Sequence, residues 1–194
     1  MTLPLRPTVG PPRGPSVNWL RMAADGLTLA RLLLVVLIVD AGLAAAGDRS
    51  VLQPVILFNL MAWTTDVLDG RFARASHTPT SFVGRLDFPA DMLLLWGTAL
   101  AVFSAYDLPL WPLALYCLLA LLLALRYHAK TVFMALGAPL ATLPPWAAFQ
   151  VGTSWGALYG LWILLALALN FERFGQVVSG FVDQLPRGLR RLVS

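Results

Sequence analysis

Charge is scarce in this chain. Only 12% of its 194 residues are Asp, Glu, Lys or Arg, against about a quarter in an ordinary soluble domain. Cysteine is nearly missing as well: Cys117 stands alone, which excludes an intrachain disulfide and leaves the redox compartment unread. Histidine occurs twice, at His77 and His128, both in loops between apolar segments and both expected to face solvent. The segment 1–16 lacks the apolar stretch of a cleaved signal peptide. Its prolines, Pro4, Pro7, Pro11, Pro12 and Pro15, oppose a helix there.

Apolar residues are what the chain has in excess: 58% of the sequence, with a mean hydropathy of +0.73. One compact soluble domain of this length would turn too much of that surface to water. A bilayer solvates apolar side chains, and a helix satisfies its own backbone within it. The net charge of +4 and pI near 9.8 do not point to nucleic acid, because the basic residues, nearly all Arg, are scattered among the apolar runs and form no single patch.

A membrane-crossing helix needs roughly 17 to 25 mainly apolar residues. Six segments qualify, at about 27–46, 51–65, 90–106, 108–125, 131–150 and 153–170; the second is short unless its helix continues into the polar stretch beyond. The expected fold is therefore an all-α integral membrane protein with six transmembrane helices and a short interfacial helix over 18–24. The domain reading is a flexible lead-in over 1–17, a six-helix membrane domain over 18–174 and a basic cytoplasmic tail over 175–194. Basic residues mark cytoplasmic segments. With the N-terminus inside, the inner segments hold every Arg and Lys except Arg49, counting Arg31 with the inner end of the first span, so both termini are expected in the cytoplasm. Pro144 and Pro145 should kink the fifth span, and Gly156 and Gly160 form a small-xxx-small pair suited to close packing within the chain. The tryptophans read as interface belts and packing.

The stretch 65–91 reads TDVLDGRFARASHTPTSFVGRLDFPAD. Asp66 and Asp69 are three apart and Asp87 and Asp91 four apart, so each pair shares a helix face. On adjacent antiparallel helices the pairs would converge near the cytoplasmic surface. Ionised groups at membrane depth are costly and mark function by default. Four carboxylates at close range repel strongly in a low-dielectric site, and two divalent cations would cancel their formal charge. An all-oxygen set without Cys or clustered His selects hard ions such as Mg²⁺, Mn²⁺ or Ca²⁺ over zinc; magnesium commonly joins carboxylates to substrate phosphates, so Mg²⁺ or Mn²⁺ is the expected cofactor. Arg71 and Arg74 follow closely, and the small Gly70 and Ala73 leave room for a ligand near the backbone. The bland alternative is a solvated network pairing the aspartates with Arg71, Arg74 and Arg85.

These residues resemble the signature of the CDP-alcohol phosphotransferase (CDP-alcohol phosphatidyltransferase) family, D-x2-D-G-x2-A-R-x8-G-x3-D-x3-D. Asp66, Asp69, Gly70, Ala73, Arg74, Asp87 and Asp91 fall in register; Val83 takes the place of the second glycine, with Gly84 one residue late. The segment 27–31, LTLAR, is similar to the opening of the family's first span. The resemblance covers about 27–170. It implies metal binding by Asp66, Asp69 and Asp87, with Asp91 counted among the metal ligands and also acting as general base. It also implies CDP contacts from Gly70, Ala73 and Arg74, and an attack of an acceptor hydroxyl on a CDP-linked lipid donor that releases CMP. Glycerol 3-phosphate is the first candidate acceptor, in phospholipid biosynthesis at a bacterial cell membrane, and homodimers are common in the family. Arg126 and Lys130, near the inner ends of the fourth and fifth segments, are candidates for binding a substrate phosphate.

Two other classes compete. An intramembrane Mg-dependent prenyltransferase also uses Asp-rich sites, but normally two such motifs, and this chain has one cluster. A cation-coupled transporter would need charged groups along a path, and the last three apolar segments have almost none.

Overall fold

A computed structural model of the chain describes residues 18–127, 130–171 and 175, without the side chains of 124, 127 and 130–134. Regular structure among the described residues is entirely helical: α1 Trp19–Ala45, α2 Leu52–Ala75, α3 Asp87–Ala105, α4 Trp111–Tyr127, α5 Lys130–Ala141, α6 Leu143–Val151 and α7 Thr153–Leu169. Short 3₁₀ turns, Arg49–Val51 and Val83–Arg85, precede α2 and α3. The lead-in 1–17 and nearly all of the tail expected over 175–194 lie outside the described residues.

α1 starts where a cap is available. The Asn18 side-chain oxygen accepts from the Arg21 backbone N–H at 3.4 Å, and its amide nitrogen donates to the Ser76 carbonyl at 2.7 Å. One side chain thus caps α1 and ties it to the end of α2. The separate interfacial helix expected over 18–24 is not seen, because Trp19–Ala24 are the first turns of an unbroken α1. Gly26 alone costs a helix only about 1 kcal/mol relative to alanine, too little to break it. α1 ends at Ala46 and Gly47, both left-handed (φ 40° and 86°), and the Gly47 N–H donates to the Ser104 carbonyl at 3.0 Å.

α1, α2 and α3 form the most closely packed part of the molecule. Small residues permit the approach: a Cβ on Gly42 would lie 2.7 Å from the Ala101 Cα, and one on Gly97 would lie 2.9 Å from Val39 Cγ2. Ile38, Val55, Ala62, Leu94 and Ala101 fill the space between the three helices. One buried polar chain runs through this core. Asn59 donates to Thr98 Oγ1 at 2.9 Å and accepts from the Tyr159 hydroxyl at 2.6 Å, linking α2, α3 and α7.

The outer faces are apolar. Leu29, Leu33 and Val36 on α1, Leu118 and Leu122 on α4, and Leu161 and Leu164 on α7 are all exposed, a pattern that suits lipid and not water. Among the described residues, three helical stretches are long and apolar enough to cross a membrane: α1, Arg49–Ala75 and α3. Trp111–Leu123 and Thr153–Leu169 are apolar but shorter. The fifth expected span divides at Thr142 into α5 and α6. Pro144 and Pro145 occupy the first turn of α6, where a missing N–H costs nothing, so the expected kink appears as a break just before them. A Cβ on Gly156 would meet the Phe149 ring at 2.2 Å, so that half of the glycine pair serves packing within the chain, whereas Gly160 faces open space.

Candidate active site

Asp66 and Asp69 lie on the last turns of α2, and Asp87 and Asp91 on the first turns of α3. The connecting loop folds back over a hydroxyl. Ser81 Oγ accepts from Arg21 Nη2 and from the Gly84 N–H, both at 2.9 Å, and donates to Asp25 Oδ1 at 2.6 Å. That uses its one hydrogen and both acceptor positions, so the loop is pinned to the start of α1. Arg21 and Asp25 also pair directly at 3.4 Å. The carboxylate of Asp87, in the first turn of α3, meets the positive end of the helix dipole.

At the centre stands Arg31 of α1, 0% exposed. Its Nη1 donates to Asp87 Oδ1 and to Asp91 Oδ1, each at 2.8 Å. Its Nη2 donates to Asp69 Oδ2 and approaches Asp66 Oδ1 at 3.1 Å. All four aspartates therefore meet one guanidinium. Thr28, one turn earlier, donates to Asp69 Oδ2 at 3.2 Å. Arg31 Nε is buried and has no hydrogen-bond partner among the described residues.

The oxygen set fits a hard divalent ion. Asp66, Asp69 and Asp87 each offer a carboxylate oxygen, and these three atoms lie within 4.8 Å of one another, a spacing and donor chemistry suited to Mg²⁺ or Mn²⁺. Asp91 stands beside them through Arg31 but outside that group of three.

A cavity borders each side of the cluster. One, of about 150 Å³, is walled by Arg21, Asp25, Thr28, Asp69, Gly70, Ala73, Thr80, Gly84 and Asp87. The other, of about 280 Å³, is walled by Trp63, Asp66, Asp87, Phe88, Asp91, Met92, Leu95, Gly137, Ala138 and Ala141. Asp87 faces both.

A family model described as CDP-alcohol phosphatidyltransferase matches residues 21–179. The chain belongs to that family. No curated protein and no solved structure matches it. Membership makes the protein a membrane-bound transferase of phosphatidyl groups from CDP-alcohols, in a family that typically depends on divalent metal.

Against this family frame, the sequence expectations divide. Gly70 and Ala73 line the smaller cavity, while Arg74 is exposed and lines neither of the two. Arg71 donates to the Leu169 carbonyl at 3.3 Å, and a cation that the alternative network of Arg71, Arg74 and Arg85 did not include, Arg31, meets all four aspartates. Arg126 is exposed on the last turn of α4 and lines neither cavity. Lys130 opens α5, with its side chain outside the description. His77 is exposed, and His128 falls outside the described residues. The displaced glycine finds a use: Gly84 lines the smaller cavity, and a Cβ there would lie 2.1 Å from Arg21 Nη2. The 3₁₀ turn Val83–Arg85 carries a glycine to this close approach one residue late.

Sequence reasoning missed Arg31, Thr28, Arg21, Asp25 and Ser81. A signal existed for the first two. They lie three apart in LTLAR, and a charge inside an apolar run marks function as strongly as the aspartates do. Trp63, read as packing, walls the larger cavity.

Proposed function

We propose that the protein is a metal-dependent enzyme of phospholipid biosynthesis that moves a phosphatidyl group from a CDP-linked lipid such as CDP-diacylglycerol to an acceptor alcohol, releasing CMP. The observation that carries the reading is the convergence of four carboxylates from two helices on one buried point, with a cavity on either side.

The smaller cavity, with Gly70, Ala73 and Gly84 in its wall beside charged Arg21, Asp25, Asp69 and Asp87, suits the nucleotide end of the donor. Asp66, Asp69 and Asp87 would hold the metal, as two ions by family likeness. Divalent metal, when bound, supplies positive charge to the diphosphate oxygens and to the leaving phosphate. Asp91 faces the larger cavity, where the acceptor hydroxyl would lie within its reach. Asp91 accepts the hydroxyl proton as the oxygen attacks the β-phosphorus; a new O–P bond forms and the bond from that phosphorus to CMP breaks. Arg31 keeps the aspartates of α2 and α3 at a common centre. In the cell we place both termini and this site on the cytoplasmic side of a bacterial membrane, with α5 and α6 together forming one of six spans. Glycerol 3-phosphate is the first acceptor to try.

The deciding experiment is CMP release from CDP-diacylglycerol by the purified protein with Mg²⁺ or Mn²⁺, over a panel of acceptor alcohols. We expect release that requires both an acceptor and a metal. Release that persists unchanged in chelator would remove metal from the reading, and no release with any acceptor would reject the donor class.

A further inference from the structure

Arg31 is set among the atoms a metal would use. Each of Asp66, Asp69 and Asp87, the three residues whose oxygens lie within 4.8 Å of one another, also contacts its guanidinium. Four ionised carboxylates carry a formal charge of −4, and one guanidinium reduces it to −3. The planar fork of arginine suits this place because its two terminal nitrogens can each serve two carboxylates. Its burial is complete, so water cannot take over the role.

We propose that Arg31 is the built-in counter-ion of the acidic cluster: it holds the four carboxylates together when no divalent ion is present, and it opposes the binding of that ion. The inference rests on the reading that the site takes a divalent metal. The first half follows from repulsion: without a cation the carboxylates of α2 and α3 would push those helix ends apart. The second follows from the sign of the same charge. Each carboxylate has lone pairs enough to face a metal and an N–H together, so entry is not blocked, but the guanidinium repels any cation brought beside it. The Nε has no hydrogen-bond partner among the described residues, so the guanidinium is held by its two terminal nitrogens. Arg31 is thus a positioning residue whose charge makes the metal-free form durable and the metal-bound form weaker.

The two effects have opposite signs, and that separates this role from a merely structural one. The test uses full-length protein in nanodiscs, comparing wild type with Arg31→Met and Arg31→Lys. Thermal unfolding is followed in EDTA and in excess Mn²⁺, and Mn²⁺ affinity is measured by electron paramagnetic resonance of the free ion. Arg31→Met should unfold at lower temperature than wild type in EDTA, with the gap narrowing in Mn²⁺. It should also bind Mn²⁺ more tightly, on the order of tenfold, the scale on which a neighbouring charge changes ionic equilibria. Arg31→Lys, a single point charge, should fall between. An Arg31→Met protein recovered only in the presence of Mn²⁺ supports the proposal. If it is recovered in neither condition, the same measurements on Arg31→Lys decide. An equal loss of stability with and without Mn²⁺, or an Mn²⁺ affinity unchanged or reduced, overturns it. That result beside intact metal-dependent CMP release would sink this inference alone, whereas wild-type protein that binds no Mn²⁺ would sink it together with the functional reading.

Discussion

Helices α1, α2 and α3 turn charge inward: Arg31, Asp66, Asp69, Asp87 and Asp91 all meet between them. Helices α4 to α7 carry only Arg126 and Lys130 among their residues, both near the α4–α5 junction, and show leucines along their outer faces. Contact follows the same division, dense within the first group and sparse between most pairs of the second. Without a hydrophobic force between helices in lipid, association depends on close packing and interhelical polar bonds. The first group has both, in Gly42 against Ala101, Gly97 against Val39, and the Arg31 cluster. The second group reaches the site chiefly through small residues, Gly137, Ala138 and Ala141, on one wall of the larger cavity. The comparison assigns chemistry to α1–α3 and the shape of one substrate chamber to α5.

The largest effect should come from inside the first group. Asp91→Asn keeps an oxygen that can accept from Arg31 but removes the base. The expected loss is about 10²- to 10⁴-fold in kcat, the range for general base catalysis, with Mn²⁺ binding retained. CMP-release kinetics beside Mn²⁺ titration check it. Full turnover in this variant would move the base elsewhere.

A smaller and more selective effect should come from the second group. A Cβ at Gly137 would lie 3.1 Å from Leu95 Cδ1 and 3.7 Å from Met92 Cε, so the rest of a leucine side chain has the cavity as its nearest space. Gly137→Leu should raise the acceptor KM about tenfold or more, the scale of steric discrimination in a pocket, and leave the donor KM nearly unchanged. Equal changes in both would mean that the larger cavity is not reserved for the acceptor, and the division between the two helix groups would blur.

How much of this was legible in the sequence follows the same line. The 65–91 motif placed its acidic pairs correctly on the end of one helix and the start of the next, because spacing along a helix is local information. Its glycine irregularity was visible, but not its remedy, since the contact between Gly84 and Arg21 joins residues far apart in sequence. Arg31 was read as a topological charge because which face of α1 turns toward α2 and α3 is set by packing at Gly42 and Gly97, not by the run LTLAR itself. The continuity of α1 through Gly26 is not legible locally, because a single glycine weakens a helix without deciding whether it breaks. The division of the fifth span was signalled by Pro144 and Pro145, whose stereochemistry is again local.

The smallest effect tests the seam between the groups. Tyr159 of α7 donates its hydroxyl to Asn59 Oδ1 at 2.6 Å, and Asn59 in turn donates to Thr98, all three being buried. Tyr159→Phe removes the hydroxyl, and Asn59 keeps its bond to Thr98. Interhelical polar bonds in membrane proteins average about 0.6 kcal/mol and reach about 1.7 kcal/mol, so Tm should fall by about 2 °C, and by no more than about 7 °C, for a chain of this size. Turnover should hold, because Asn59 lies about two helical turns from Asp66, and the four aspartates keep their contacts with Arg31. Thermal unfolding and CMP release on the same preparation read both quantities. A variant that keeps its Tm but loses turnover would show that α7 governs the carboxylates through Asn59, and the separation of chemistry from chamber would fail at that residue.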